Sequence, residues 1–219
     1  WAPADDRIVF ASTLKGPADL YMKSATGSGG EEILLASNAF KVPSDWSSDG
    51  RSILFQNIDP KLNTGMDAFV LSVSDRKASA LLQTAFDEIH GQFSPDGRWV
   101  AYTSNESGRD EVYVQPFPGP GGKWQISTAG GAFPRWRNDG RELFYFAPDG
   151  SFWGVDMRPG ATLQPGIPRR LFAAKVKGTQ FFHYDVSVGG QRFLVNVDAG
   201  EGSSTPITLV ENWTAELKE

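Results

Sequence analysis

No cysteine occurs in the 219 residues. Disulfides, thiolate metal ligands and cysteine nucleophiles are thereby excluded, while the compartment stays open because a cysteine-free chain tolerates either redox setting. Histidine is nearly missing too, with His90 and His183 as the two copies. No G-x-S-x-G pentapeptide is present, so the nucleophile elbow of a serine hydrolase has no counterpart. No basic run interrupts a net charge of −5, which argues against nucleic acid as a partner. No apolar run approaches the ~18 residues of a membrane span, and no signal peptide is visible. The sequence begins at Trp1 rather than Met. It reads as a fragment or processed chain, and no membrane contact is expected of it.

What is abundant is turn-forming and aromatic. Glycine (24) and proline (14) suit many short strands joined by turns, and 40% apolar content with 12% aromatics supports a packed core. The clearest pattern runs from 92 to 119. Phe93 closes a short apolar segment, and Ser94-Pro95-Asp96-Gly97 follows. Proline pre-sets φ near roughly −65°, and glycine at the fourth position takes the positive φ that closes a hairpin. Trp99 to Thr103 is aromatic and β-branched, hence strand-like. After a polar loop, Glu111-Val112-Tyr113-Val114 alternates as a half-buried strand should.

This unit recurs. Trp1, Trp46, Phe93, Trp136 and Val186 act as anchors before the turn. A large apolar residue follows each nine positions later: Phe10, Phe55, Tyr102, Tyr145 and Val195. The anchors recur after 45, 47, 43 and 50 residues. Third strands are expected to open at Asp19, Asp67, Glu111, Ser151 and Ile207, with outer fourth strands at 31–36, 78–83, 123–127 and 169–173. Four antiparallel strands per unit of about 45 residues is the signature of a β-propeller. A β-solenoid or a pair of sandwiches competes, but fits the regular aromatic-rich strands less well. The expected architecture is a single all-β domain over residues 1–219, a β-propeller of about five four-stranded antiparallel blades. Their approximate bounds are 1–36, 37–84, 85–128, 129–173 and 174–219. The anchors are expected to pack between neighbouring blades. The first copy lacks most of its innermost strand, and the fifth shows no fourth strand. The array is therefore either a closed ring whose ends pair within one blade, or part of a larger ring whose open edges allow oligomers.

The segment from Phe93 to Tyr102 with Glu111-Val112-Tyr113-Val114 resembles the WD40-like (PD40) repeat of TolB-type propellers, and the likeness covers essentially the whole chain. Residues 91–118, with Lys123-Trp124-Gln125-Ile126-Ser127, are similar to propellers at the C-terminus of acidobacterial serine/threonine protein kinases and related regulators. The ending around Asn212-Trp213-Thr214 is similar as well. The resemblance implies a bacterial interaction or sensor module of a larger signalling protein, in an extracytoplasmic or periplasmic setting. Departures occur at the end copies: Asp5-Asp6 stands where Asp-Gly is expected, and Val188-Gly189-Gly190 replaces Pro-Asp-Gly. The six blades and separate N-terminal domain of TolB are not visible. Neither are a Gly-rich phosphate loop or HRD and DFG triplets, so kinase activity would belong to another part of the parent chain.

Candidate ligand-binding residues follow from the register. His90 and His183 sit three positions before their anchors, and Glu88 lies near them. Asp45, Gln92, Arg135 and Asp185 each occupy the position just before the anchor. Together they predict a channel-mouth site for a protein or small ligand, at the rim where innermost strands begin. The plainer alternative makes them rim residues with hydrogen-bonded polar tips. Asp45 and Asp185 form the one carboxylate pair that a glycosidase-like or lyase-like reading would use. No catalytic residue, metal site or cofactor is assigned. Asp5-Asp6 and the stretch 59–67 lack a D-x-D-x-D-G loop, and turn chemistry accounts for their aspartates. The Gly- and Pro-rich stretches 27–30 and 116–122 read as connectors, because no helix follows them. Phe181-Phe182-His183-Tyr184 reads as an innermost strand or an exposed contact patch, and Asn105-Glu106-Ser107 and Asn212-Trp213-Thr214 match the glycosylation triplet. The function expected is non-catalytic binding. The alternatives are an accessory propeller gating a hydrolase, or a stand-alone channel-carboxylate enzyme.

Overall fold

The computed structural model describes residues 1–3, 7–14, 16–119, 121–158, 162–176 and 183–197, and the backbone of 207–211. Its strands form five antiparallel sheets in chain order. The first holds β1 (Arg7–Ser12), β2 (Asp19–Ser24) and β3 (Glu32–Leu35). The second holds β4 (Phe40–Trp46), β5 (Ser52–Ile58), β6 (Asp67–Ser72) and β7 (Ala78–Leu82), and the third β8 (Glu88–Phe93), β9 (Trp99–Ser104), β10 (Glu111–Pro116) and β11 (Trp124–Gln125). The fourth holds β12 (Ala132–Trp136), β13 (Glu142–Phe146), β14 (Ser151–Arg158), β15 (Gln164–Pro165) and β16 (Arg169–Ala173), and the last β17 (Tyr184–Val186), β18 (Arg192–Asn196) and β19 (Ile207–Glu211). These are the blades of a β-propeller. No helix of the described residues is long and apolar enough to cross a membrane.

The turn after each anchor forms as its residues dictate. In the third blade Ser94 Oγ donates to Asp96 Oδ1 at 2.6 Å and accepts from the Trp99 amide at 3.0 Å. Ser47 and Asp49 repeat this in the second blade, with Ser47 Oγ at 2.6 Å from Asp49 Oδ1. Gly50, Gly97, Gly140 and Gly190 close the turns at φ of 74°, 68°, 71° and 73°, where any other residue would be strained. In the fourth blade Arg137 replaces the serine and reaches Asp139 Oδ1 through Nε at 2.7 Å.

Strand alternation sends neighbouring residues to opposite faces, and each face meets the next blade. The core is therefore a set of layers between blades. Leu20 and Met22 meet Trp46, Ile53 and Phe55 between the first and second blades. Leu54 meets Phe93, Val100 and Tyr102 between the second and third. Trp99, Ala101 and Val112 meet Trp136, Leu143 and Tyr145 between the third and fourth, and Phe144 and Phe152 meet Tyr184 and Phe193 between the fourth and fifth.

The anchors Trp46, Phe93 and Trp136 are buried in these layers. Trp1 is not: it is 79% exposed. Its neighbour Ala2 packs into the first layer instead, leaving the indole at the rim of the axial cavity described below. The expected strand at 123–127 shrinks to β11, because Ser127 Oγ accepts the Val112 amide at 2.8 Å where a ladder carbonyl would otherwise stand. Among the described residues β1 pairs only with β2, and β19 only with β18.

Candidate functional site

The innermost strands β4, β8 and β12 share an irregularity. Their register shifts at Pro43/Asp45, Ile89/Gln92 and Ala132/Arg135, the same place relative to each anchor. Such a bulge re-aims side chains. At its centre His90 and Phe133 hold φ of 55° and 56°, a left-handed conformation that costs a bulky residue of order 1–3 kcal/mol. Neighbouring groups fix it. Thr103 Oγ1 accepts the Phe133 amide at 3.2 Å, and Tyr184 Oη donates to the Phe133 carbonyl at 2.7 Å. The His90 and Phe133 rings lie 4.0 Å apart, and Phe133 and His183 lie 5.4 Å apart. The two histidines thus flank a phenylalanine at the equivalent position of the blade between them. Burial lowers the pKa of His183. A His90→Asn exchange, which tolerates left-handed φ, is expected to cost about 1 kcal/mol or less, and His90→Val about 2 kcal/mol or more. Urea denaturation checks this, and equal losses would refute a backbone constraint.

The residues just before the anchors stitch blades together. Asp45 Oδ2 accepts the Phe93 amide of the next blade at 2.8 Å. Gln92 Oε1 accepts the Trp136 amide at 2.9 Å. Arg135 Nε stands 3.8 Å from Asp185 Oδ1, which also accepts the Val186 amide at 2.9 Å. Asp45, Gln92 and Asp185 thus carry hydrogen-bonded tips, and Arg135 meets Asp185 as an ion pair. Glu88 belongs elsewhere. It is buried, accepts from Thr84 Oγ1, and has its pKa raised by burial and then by Asp67 and Glu106.

Where the innermost strands finish, one cavity of about 570 Å³ opens on the axis. All five anchors line it, together with Asp45 and Gln92. The expected site lay at the other rim, so the structure brings Asp45 and Gln92 to this cavity while His90, His183, Glu88, Arg135 and Asp185 do not line it. Asp185 faces a separate recess with Val186, Ser187, Arg192 and Leu194, so the Asp45–Asp185 pair is not assembled in one cleft. Burial raises the Asp45 pKa to about 6 against the pull of the Phe93 and Trp46 amides and of Arg135. Among the described residues no group of three or more His, Cys, Asp or Glu could hold a metal ion. Asp5-Asp6, Phe181-Phe182 and Asn212-Trp213-Thr214 lie outside the described residues.

A set of buried acids escaped the sequence reading. Asp19, Asp67 and Glu111 open the third strands of their blades, and all three are buried. Asp19 holds Lys41 Nζ at 2.9 Å, Asp67 holds Thr64 and Gln83, and Glu111 holds Arg109 and the Gly130 amide. Their shared register was the available signal.

No protein-family profile matches the chain, and no curated protein does. Solved structures do. TolB from Acinetobacter baumannii superposes with a TM-score of 0.73 at 19% identity, covering 97% of this chain and 50% of that one. The nidogen/laminin complex gives a TM-score of 0.69 at 12% identity, covering 98% and 75%. An oligogalacturonate lyase in complex with manganese gives 0.62 at 11% identity, covering 98% and 75%. The fold is that of TolB-like β-propellers, and this chain spans half the length of the Acinetobacter protein.

Proposed function

We propose that this chain is a non-catalytic binding module whose ligand enters the axial cavity. One observation carries the reading: five anchors and one carboxylate surround a single cavity of about 570 Å³, a size suited to a small ligand or a few side chains of a partner. A fold alone does not choose between binding and catalysis. Here Asp45, the acid on the cavity wall, already accepts a backbone amide and has no second carboxylate beside it on the lining. Membership of a larger bacterial signalling protein in an extracytoplasmic setting, as in kinase-linked propellers, forms the wider proposal. A hydrolase-gating role would be favoured by a hydrolase sequence beside this one in the parent chain.

The test is selection of random heptapeptides on immobilised protein, followed by rebinding to an Asn138→Trp variant. Asn138 is exposed and lines the cavity, so the added indole fills space without entering the core. Clones held by the wild type are expected to be lost on the variant. Undiminished rebinding would place the binding face elsewhere.

A further inference from the structure

We infer that the axial cavity takes an organic cation, a guanidinium or alkylammonium group. This deepens the binding reading above and rests on it. Trp1, Trp46, Trp136 and Phe93 are among the residues that line the cavity. Aromatic faces attract cations, most strongly where water is excluded. Asp45 is the one ionisable side chain on the lining, and no Lys or Arg side chain lines it. An anion would meet Asp45, and the nearby positive charges, Arg135 and the Trp1 amino group, already act on that carboxylate. An apolar ligand would strip water from that carboxylate and return nothing. A cation satisfies both the rings and the acid. The chain already shows the contact: the Arg7 guanidinium lies 5.8 Å over the Trp46 ring.

Binding should therefore be linked to protonation of Asp45. The charged groups facing it are Arg135 from β12, which also lies 3.8 Å from Asp185, and the amino group of Trp1. Its own strand adds the Trp46 amide, and β8 adds the Phe93 amide. An arriving cation favours the ionised form, so affinity should rise severalfold from pH 5 to pH 7, as Asp45, with a pKa of about 6, releases its proton.

The experiment titrates the protein with acetyl-Gly-Arg-Gly-amide, with its citrulline counterpart and with methylguanidinium, followed by tryptophan fluorescence. The arginine peptide should bind saturably and at least about tenfold more tightly than the citrulline peptide. Trp1→Ala and Asp45→Asn should each weaken it severalfold. Trp1 is 79% exposed, so its removal should leave the melting temperature unchanged. Methylguanidinium binding as tightly as the peptide identifies a free small cation, and a tighter peptide identifies a basic side chain of a polypeptide. Equal binding of the arginine and citrulline peptides would overturn the inference and leave the binding cavity standing. Absence of arginine binding, while selected heptapeptides still need an open cavity, would overturn it too. If neither they nor the probes respond to Asn138→Trp, the binding reading falls with it.

Discussion

Asp19→Ala should lower stability by about 3–5 kcal/mol, the usual cost of stranding one member of a buried ion pair. Its partner, Lys41, is a lysine with 1% of its side chain exposed. The ammonium is held by Asp19 Oδ1 at 2.9 Å, the Ala39 carbonyl at 2.8 Å and the Ser37 carbonyl at 3.4 Å. Without the carboxylate, a buried positive charge would face two neutral carbonyls. The Asp19 carboxylate also accepts the Ser37 amide at 3.1 Å, so the link between β3 and β4 loosens as well. Lys41→Met removes the charge while keeping the stem. The double variant should therefore recover at least about half of the loss, because neither charge is then unpaired. Urea denaturation of the two single variants and the double gives the coupling. A loss below about 1 kcal/mol for Asp19→Ala would show that water reaches the ammonium. Lys41 lies near the start of β4 and Asp45 near its other end, so the pair helps fix the strand that carries the proposed cavity acid.

Periodicity made the blades legible because a fixed nine-residue spacing and strict alternation are properties of the chain itself. Leu54 faces the third blade and Phe55 the first, as alternation requires. The shortening of β11 was not legible. It depends on Ser127 substituting for a ladder group, a choice made by geometry. At the site, the register before the anchors marks Asp45, Gln92, Arg135 and Asp185 as equivalent positions, but not what they do, and only Asp45 and Gln92 line the cavity. The bonds from Asp45 to the Phe93 amide and from Gln92 to the Trp136 amide join positions 48 and 44 residues apart, which no local pattern encodes. Phe133, between His90 and His183, occupies the same register, and its apolar ring gives no polar signal to set it apart from core. The cavity was missed for a related reason. The anchors' apolar character predicts core, whereas Trp46, Phe93 and Trp136 both pack into the layers between blades and line the cavity.

The second large effect concerns the acid that these anchors enclose. Asp45→Asn should flatten part of the pH dependence of stability. The folded pKa of Asp45 is about 6, against a model-compound value of 3.8. Between those values the native state holds a proton that the unfolded chain has released. The stabilising contribution of the protonated carboxyl is therefore complete below about pH 4 and is lost as pH rises through about 6. The shift corresponds to about 3 kcal/mol at most, and about 1–2 kcal/mol is the reasonable expectation for a half-buried group. Asparagine keeps an oxygen for the Phe93 amide and cannot ionise. The variant should match the wild type near pH 4 and exceed it by about 1–2 kcal/mol at pH 7. Urea midpoints across that range, taken as the difference between the two proteins, cancel the other carboxylates. Parallel curves would mean that Asp45 ionises as freely as an exposed acid. The expected divergence has a functional meaning. An acid that weakens the fold at neutral pH, where an amide would serve the same backbone bond, is a local conflict of the kind that marks a site. A cation arriving in the cavity would relieve it, so the gain from Asp45→Asn in stability and its loss in cation binding are two readings of one carboxylate.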